Sequence, residues 1–305
     1  MTFGPLVSAD WLKDHLKDPD VRVIDFRWYL AGRAHTEGSP RTHGVPLRGS
    51  SEFVGIKGAL PDRKGRDEYL RGHIPGAVFV DLEAVTGAAS KHNRGRHPLP
   101  ANWQLQDEMQ KAGVEDSTKV VVYDDAGGSV AARLWFLLGW IRHDAQAVLD
   151  GGLQAWDGPL ETGSVSVARG AFRSKEPDRS RIVDFEAVQN LEGVPLLDAR
   201  MSERYRGETE PIDPKAGHIP GALSAPWTDN LGPDGRFKSP AELRARFSEL
   251  GADDGAVMYC GSGVNATHHL LAMEVAGLRG GRVYPGSWSD WSNRDAPVAT
   301  GKDPG

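Results

Sequence analysis

Cys260 is the only cysteine in the 305-residue chain, and its neighbours suit a reactive thiol. Before it lies a short apolar run, Ala256-Val257-Met258-Tyr259, which reads as a buried strand. After it come Gly261-Ser262-Gly263-Val264-Asn265 and a helix-like run from Ala266 to Ala276. A thiol on such a strand-to-helix turn meets converging backbone N–H groups and a positive helix end, both of which favour an anionic sulfur. One cysteine can close no intrachain disulfide and is too few for a cysteine-based metal site. The bland alternative is a small core hydrophobe, and the glycine-serine-glycine that follows argues against it.

Two reactions suit a cysteine in that position. Phosphoryl transfer needs an arginine six residues on, so that a guanidinium grips the phosphoryl oxygens bidentately. Here that position is Ala266, and no arginine occurs from 260 to 278. The remaining reaction is sulfur transfer. A persulfide on Cys260 is anionic and labile, and loop amides can stabilise it without a metal or organic cofactor. Gly261 and Gly263 leave the backbone free to turn those amides inward.

The elements that position this loop are written twice in the chain. Val23-Ile24-Asp25-Phe26-Arg27 is matched by Leu196-Leu197-Asp198-Ala199-Arg200, and Gly72-His73-Ile74-Pro75-Gly76-Ala77 recurs as Gly217-His218-Ile219-Pro220-Gly221-Ala222. The strand Val120 to Tyr123, ending at Asp124, matches the strand ending at Cys260. Finally, Leu149-Asp150-Gly151-Gly152-Leu153-Gln154-Ala155-Trp156 mirrors Tyr284-Pro285-Gly286-Ser287-Trp288-Ser289-Asp290-Trp291. Each copy is expected to fold as a domain: 1–160, then a polar linker 161–180, then 181–305. Short apolar strands at 21–25, 77–80, 119–123 and 147–149 alternate with helical spacing at Trp103 to Ala112 and Val130 to Leu138, which predicts an α/β fold with mostly parallel sheets flanked by helices. The first copy carries an extra glycine-rich segment, 31–64, read as a surface loop near the cleft. It also has Asp124 where the second has Cys260. A carboxylate cannot act as a soft nucleophile, so the first domain is expected to be catalytically silent.

Composition narrows the partners. Hydrophobic residues at 39% with 9 Trp support real cores, and a net charge of -6 without a Lys/Arg stripe argues against nucleic acid. No apolar run approaches a membrane span, and the N-terminus shows no basic region followed by an apolar one, so a cytoplasmic protein is expected.

Both Asp-x-Arg strand ends, both Gly-His-Ile-Pro-Gly-Ala segments, the Tyr259-Cys260-Gly261-Ser262-Gly263-Val264 loop and the closing Gly-Gly-Leu-Gln-Ala-Trp and Gly-Ser-Trp-Ser-Asp-Trp segments resemble the two-domain rhodanese superfamily, specifically its 3-mercaptopyruvate sulfurtransferases. The resemblance implies tandem rhodanese-like domains with chemistry in the second. It implies transfer of a sulfane sulfur from 3-mercaptopyruvate, through a Cys260 persulfide, to cyanide, a small thiol or a thioredoxin-like protein. Gly261-Ser262, rather than two basic residues, favours mercaptopyruvate over thiosulfate. Thiosulfate sulfurtransferase and a persulfide-carrying relay protein are the alternatives. Asn265 replaces the threonine of the family loop and is expected to hydrogen-bond backbone at the helix start. Arg200 and Arg206 are expected to grip the donor, the alternative being surface ion pairs. A relay of Ser262, His97 and Glu83 is expected across the domains, although His97 and Glu83 could instead be solvated. Neither metal nor cofactor is implied, and the expected state is a monomer, with a dimer as the alternative.

His73 and His218 occur in both copies, including the silent one, and are therefore read as structural locks. His268 and His269, adjacent on one helix, cannot meet one metal ion from a single face.

Overall fold

A computed structural model describes residues 3–30, 64–90 and 95–305; the 31–64 insertion thus lies almost wholly outside the described residues. The first sheet comprises β1 (Leu6–Val7), β2 (Val21–Asp25), β3 (Val78–Phe79), β4 (Lys119–Tyr123) and β5 (Gln146–Leu149), in the order β1-β5-β4-β2-β3. The second comprises β6 (Leu196–Asp198), β7 (Ala222–Ser224), β8 (Val257–Tyr259) and β9 (Arg282–Val283), in the order β7-β6-β8-β9. Every pairing among these strands is parallel. The registers repeat as well. Asp25 lies opposite Tyr123 on β4, and Asp198 lies opposite Tyr259 on β8.

Parallel strands need helical crossovers that cover both faces, so their sequences are apolar throughout. Lys119-Val-Val-Val-Tyr123 is buried at every position but the first. Local chemistry starts the crossovers. Ser239 caps the helix Pro240–Glu249 through a reciprocal capping box with Glu242, with Pro240 in the first turn, where its missing N–H costs nothing. The segment expected to be a polar linker, 161–180, packs on the first domain in part: Phe172 is buried, and its N–H donates to Val114 O at 3.2 Å.

Two helices carry the contact between domains. Ala131–Trp140 follows β4 and is buried at all ten positions; Ala266–Val275 follows β8 and is buried at eight. Helices that lack a polar face belong in an interior. Their apolar side chains join one hydrophobic cluster running from Ile24 and Val122 to Met258 and Leu271. Each helix is preceded by the loop after its central strand, so the Asp124 and Cys260 loops both lie at the domain boundary. Among the described residues no helix is long and apolar enough to cross a membrane.

His268 and His269 sit in that core. The Asn230 side-chain amide lies 3.0 Å from His268 Nδ1 and 2.9 Å from His269 Nδ1, and Arg246 Nη1 donates to Asn230 Oδ1 at 2.9 Å. An NH2 group only donates, so both Nδ1 atoms accept. Both Nε2–H groups then donate, to Gly127 O at 3.1 Å and Ala225 O at 2.7 Å. Both rings are thus held neutral. Burial pushes His268 down to about 3 and His269 well below its usual value. Below pH 6.5 the unfolded chain takes up protons that the folded chain refuses, so stability is present above that pH and lost as pH falls. Two such groups cost about 4 kcal/mol between pH 7.5 and pH 5. Urea unfolding at pH 7.5 and pH 5.0 checks this, and equal stability at the two would contradict it.

Candidate active site

The Cys260 loop is held from behind by the turn that opens the last helical segment. Cys260 N–H donates to Ser287 Oγ at 3.1 Å, Trp288 N–H to Cys260 O at 2.9 Å and Ser289 N–H to Gly261 O at 2.8 Å. Ser287 is a non-glycine residue with φ +53, and its counterpart in the first domain, Gly152, has φ +58. Leucine, serine and most other residues avoid that region, at a cost of about 1 kcal/mol. A serine stands there because its hydroxyl is used. Nothing in the residue pattern singled it out, except that it replaces glycine in the repeat.

Within the loop, Gly263 N–H donates to Cys260 Sγ at 3.2 Å. Gly263 has φ +81, and a Cβ there would come within 2.4 Å of Pro285 O, so only glycine fits. The first domain shows what the same crook holds. The Asp124 carboxylate accepts from the N–H groups of Ala126 (2.9 Å), Gly128 (2.9 Å), Val130 (2.8 Å) and Ala131 (2.8 Å). A built-in anion fills that cradle, whereas in the second domain the side chain at the corresponding position is a thiol. Val264, in the loop, is buried. Asn265 makes no side-chain capping bond, contrary to expectation; Thr267 Oγ1 instead donates to Val264 O at 2.6 Å.

The residues expected to form a relay do meet, from both domains. Ser262 Oγ lies 2.8 Å from His97 Nδ1, and His97 Nε2 lies 3.7 Å from Glu83 Oε1, beyond hydrogen-bond length but within ion-pair reach. Trp28 Nε1–H donates to the same Glu83 oxygen at 3.1 Å, and its ring meets His97 edge-on. Burial pushes His97 down, with Glu83 opposing, and His97 in turn holds the Glu83 carboxyl below its usual range. A neutral His97 with Nε2–H toward Glu83 leaves Nδ1 to accept from Ser262.

The two arginines expected to grip the donor do not face the loop. Arg200 is buried, donating through Nε and Nη2 to Asp198 (3.0, 3.1 and 2.5 Å) and through Nη2 to Gly217 O at 2.7 Å. Arg27 does the same in the first domain, to Asp25 and Gly72 O. Arg200 is therefore a strand-end lock of the frame. Arg206 forms a bidentate pair with Glu208 at 2.6 and 2.7 Å, near the surface.

Two other guanidinium groups occupy the mouth of the loop. A Cβ placed on Gly261 would lie 3.1 Å from Arg96 Nη2 and 3.4 Å from Arg204 Nη1. The other terminal nitrogen of each is anchored: Arg96 Nη1 to Asp213, and Arg204 Nη2 to Glu210 at 2.7 Å and to Asp213 at 3.3 Å. Each arginine thus turns one end toward the thiol loop and is oriented by the other. Burial pushes the Asp213 carboxyl up, against the pull of Arg96. The repeated histidines are structural, as read: His73 Nδ1 lies 2.8 Å from Tyr69 O and His218 Nδ1 2.8 Å from Tyr205 O, each ring stacked on that tyrosine. Trp156, Trp288 and Trp291 are buried.

A duplicated parallel α/β frame presents one cysteine on the loop after a central strand, with a backbone N–H on its sulfur and two guanidinium groups at its mouth, an arrangement suited to an anion on sulfur. Comparison with known proteins agrees. The rhodanese-like domain model matches residues 54–158 and 184–294, and the chain belongs to the rhodanese family. It is 41% identical over 313 residues, covering 99% of this chain and 100% of the relative, to the "probable 3-mercaptopyruvate sulfurtransferase" of Pseudomonas aeruginosa. It is 32% identical to the thiosulfate sulfurtransferase of Rattus norvegicus, covering 98% of this chain and 97% of that one. Among solved structures, SseA from Escherichia coli, described as a 3-mercaptopyruvate sulfotransferase of rhodanese fold, superposes with a TM-score of 0.74 at 31% identity, covering 93% and 99% of the two chains.

Proposed function

We propose that the protein is a 3-mercaptopyruvate sulfurtransferase working by a ping-pong mechanism through a Cys260 persulfide. The observation that carries this reading is the position of Cys260 Sγ, bonded by Gly263 N–H, in a loop whose twin already binds the Asp124 carboxylate through four amides. In the first half-reaction the Cys260 thiolate attacks the donor sulfur. A sulfur–sulfur bond forms, the donor carbon–sulfur bond breaks, and its electron pair leaves on the pyruvate enolate, which takes a proton to become pyruvate. Arg204 and Arg96 hold the donor carboxylate with their free ends. Ser262, backed by His97 and Glu83, passes a proton between donor thiol and enolate carbon. In the second half-reaction cyanide or a thiol removes the outer sulfur and restores the Cys260 thiolate; a thioredoxin-like protein is the physiological class of acceptor in this reading, acting on a cytoplasmic monomer.

The charges at the mouth support a monoanionic donor. Arg96 and Arg204 face Glu210 and Asp213, two cations against two carboxylates. A dianion such as thiosulfate gains no net attraction from that set, and no basic residue follows Cys260 to provide it. Initial rates with the two donors at equal concentration, cyanide as acceptor, test the choice. At least a tenfold higher kcat/KM for mercaptopyruvate is expected, and a preference for thiosulfate would overturn it.

A further inference from the structure

The silent domain sends a charged side chain into the active-site wall. Arg133, on the helix Ala131–Trp140, is fully buried. Its Nη1 donates to Gly263 O at 3.1 Å and its Nη2 to His97 O at 3.0 Å, while Nε has no partner. Both acceptors are neutral carbonyls, and among the described residues Arg133 forms no ion pair with a carboxylate. The other arginines buried this deeply, Arg27 and Arg200, each face an aspartate. An unpaired buried cation is costly and persists only where something compensates it. Burial pushes Arg133 down to about 10, and the opposing influence is the charge of the Cys260 sulfur.

The bond to Gly263 O also orients the loop. No cis peptide occurs among the described residues, so the peptide joining Gly263 and Val264 is trans, and its N–H points opposite to the carbonyl that Arg133 holds. On the other side of that glycine, Gly263 N–H already meets Sγ. The bond to His97 O fixes the backbone of the residue that faces Ser262.

We propose that Arg133 is a positioning residue of the catalytic loop and the fixed counter-charge of the Cys260 sulfur, as thiolate and as persulfide. This rests on Cys260 being the sulfur carrier, and it gives the silent domain a part in the chemistry: one guanidinium braces the loop of one domain and the relay histidine of the other.

The test uses full-length Arg133→Gln, neutral but still a hydrogen-bond donor, and Arg133→Lys, which keeps a cation. The readouts are the rate of Cys260 alkylation by iodoacetamide at neutral pH, the yield of persulfide by intact mass, and KM for mercaptopyruvate. Arg133→Gln is expected to lose about tenfold in alkylation rate and persulfide yield, with KM changed less than threefold because Arg133 does not touch the donor. Arg133→Lys is expected to stay within about threefold of the wild type. Wild-type alkylation by a folded Arg133→Gln protein overturns the inference, whatever its melting temperature. If Arg133→Gln does not fold, a tenfold loss in folded Arg133→Lys overturns it. A wild-type protein that forms no persulfide defeats the reading of Cys260 itself and takes this inference with it.

Discussion

Replacing Cys260 by alanine is expected to lower sulfur transfer at least about 10⁴-fold, with the melting temperature nearly unchanged. The side chain is small, and the bonds that hold its loop run through Cys260 N–H and O rather than through sulfur. Removing Sγ therefore takes away the nucleophile and one weak amide–sulfur contact, and leaves the crook standing. Steady-state release of pyruvate in the presence of cyanide measures the loss. Activity within tenfold of the wild type would mean that the thiol is a bystander.

The second large effect belongs to Arg204. Arg204→Met removes the guanidinium end beside Gly261 and is expected to reduce kcat/KM for mercaptopyruvate about 100-fold, since a charge-assisted bond to the donor carboxylate is lost. Most of the change should appear in KM. The neighbouring substitutions separate this role from mere charge. Arg206→Met removes an exposed pair with Glu208 and is expected to change kcat/KM less than about twofold. Arg200→Met strands Asp198 in the interior and is expected to cost about 3–5 kcal/mol of stability. Donor kinetics and urea unfolding on the three variants distinguish a donor clamp from a frame lock. A larger loss of donor affinity in Arg206→Met than in Arg204→Met would reverse the assignment.

The frame was legible because it is repeated. Strands at 21–25 and 119–123 and the helix after Cys260 follow from apolar runs, and the two copies check each other. The same comparison held the answer for Arg200. Arg27 occupies the matching position in a domain without a nucleophile, so its partner was structural for the reason that His73 and His218 were. Arg206 pairs with Glu208, whereas Arg204, two residues earlier, turns one end toward Gly261. Positions 204 and 206 lie on opposite sides of the short helical turn Ser202–Tyr205, and spacing alone does not say which side meets the loop.

Arg96 and Arg133 were harder to see, because what places them at the site is the docking of one domain on the other. Each nevertheless left a trace. Arg96 immediately precedes the relay histidine, and Arg133 is the one cation in the apolar run Ala131 to Trp140. A lone charge in a helix with no polar face has to find a purpose in the interior. The Asn265 expectation failed for a different reason. Helix starts select side chains that reach back to backbone N–H groups, but here the loop geometry leaves Asn265 in a helical conformation and gives the hydroxyl bond to Thr267.

Intact mass after mixing the protein with one equivalent of 3-mercaptopyruvate, without acceptor, addresses the sulfur-carrier claim directly. The expected product is heavier by about 32 Da, with the added sulfur on the peptide containing Cys260, pyruvate released in equal amount, and the mass restored by cyanide. Pyruvate released from a protein of unchanged mass, or the same adduct on Cys260→Ala, would contradict it.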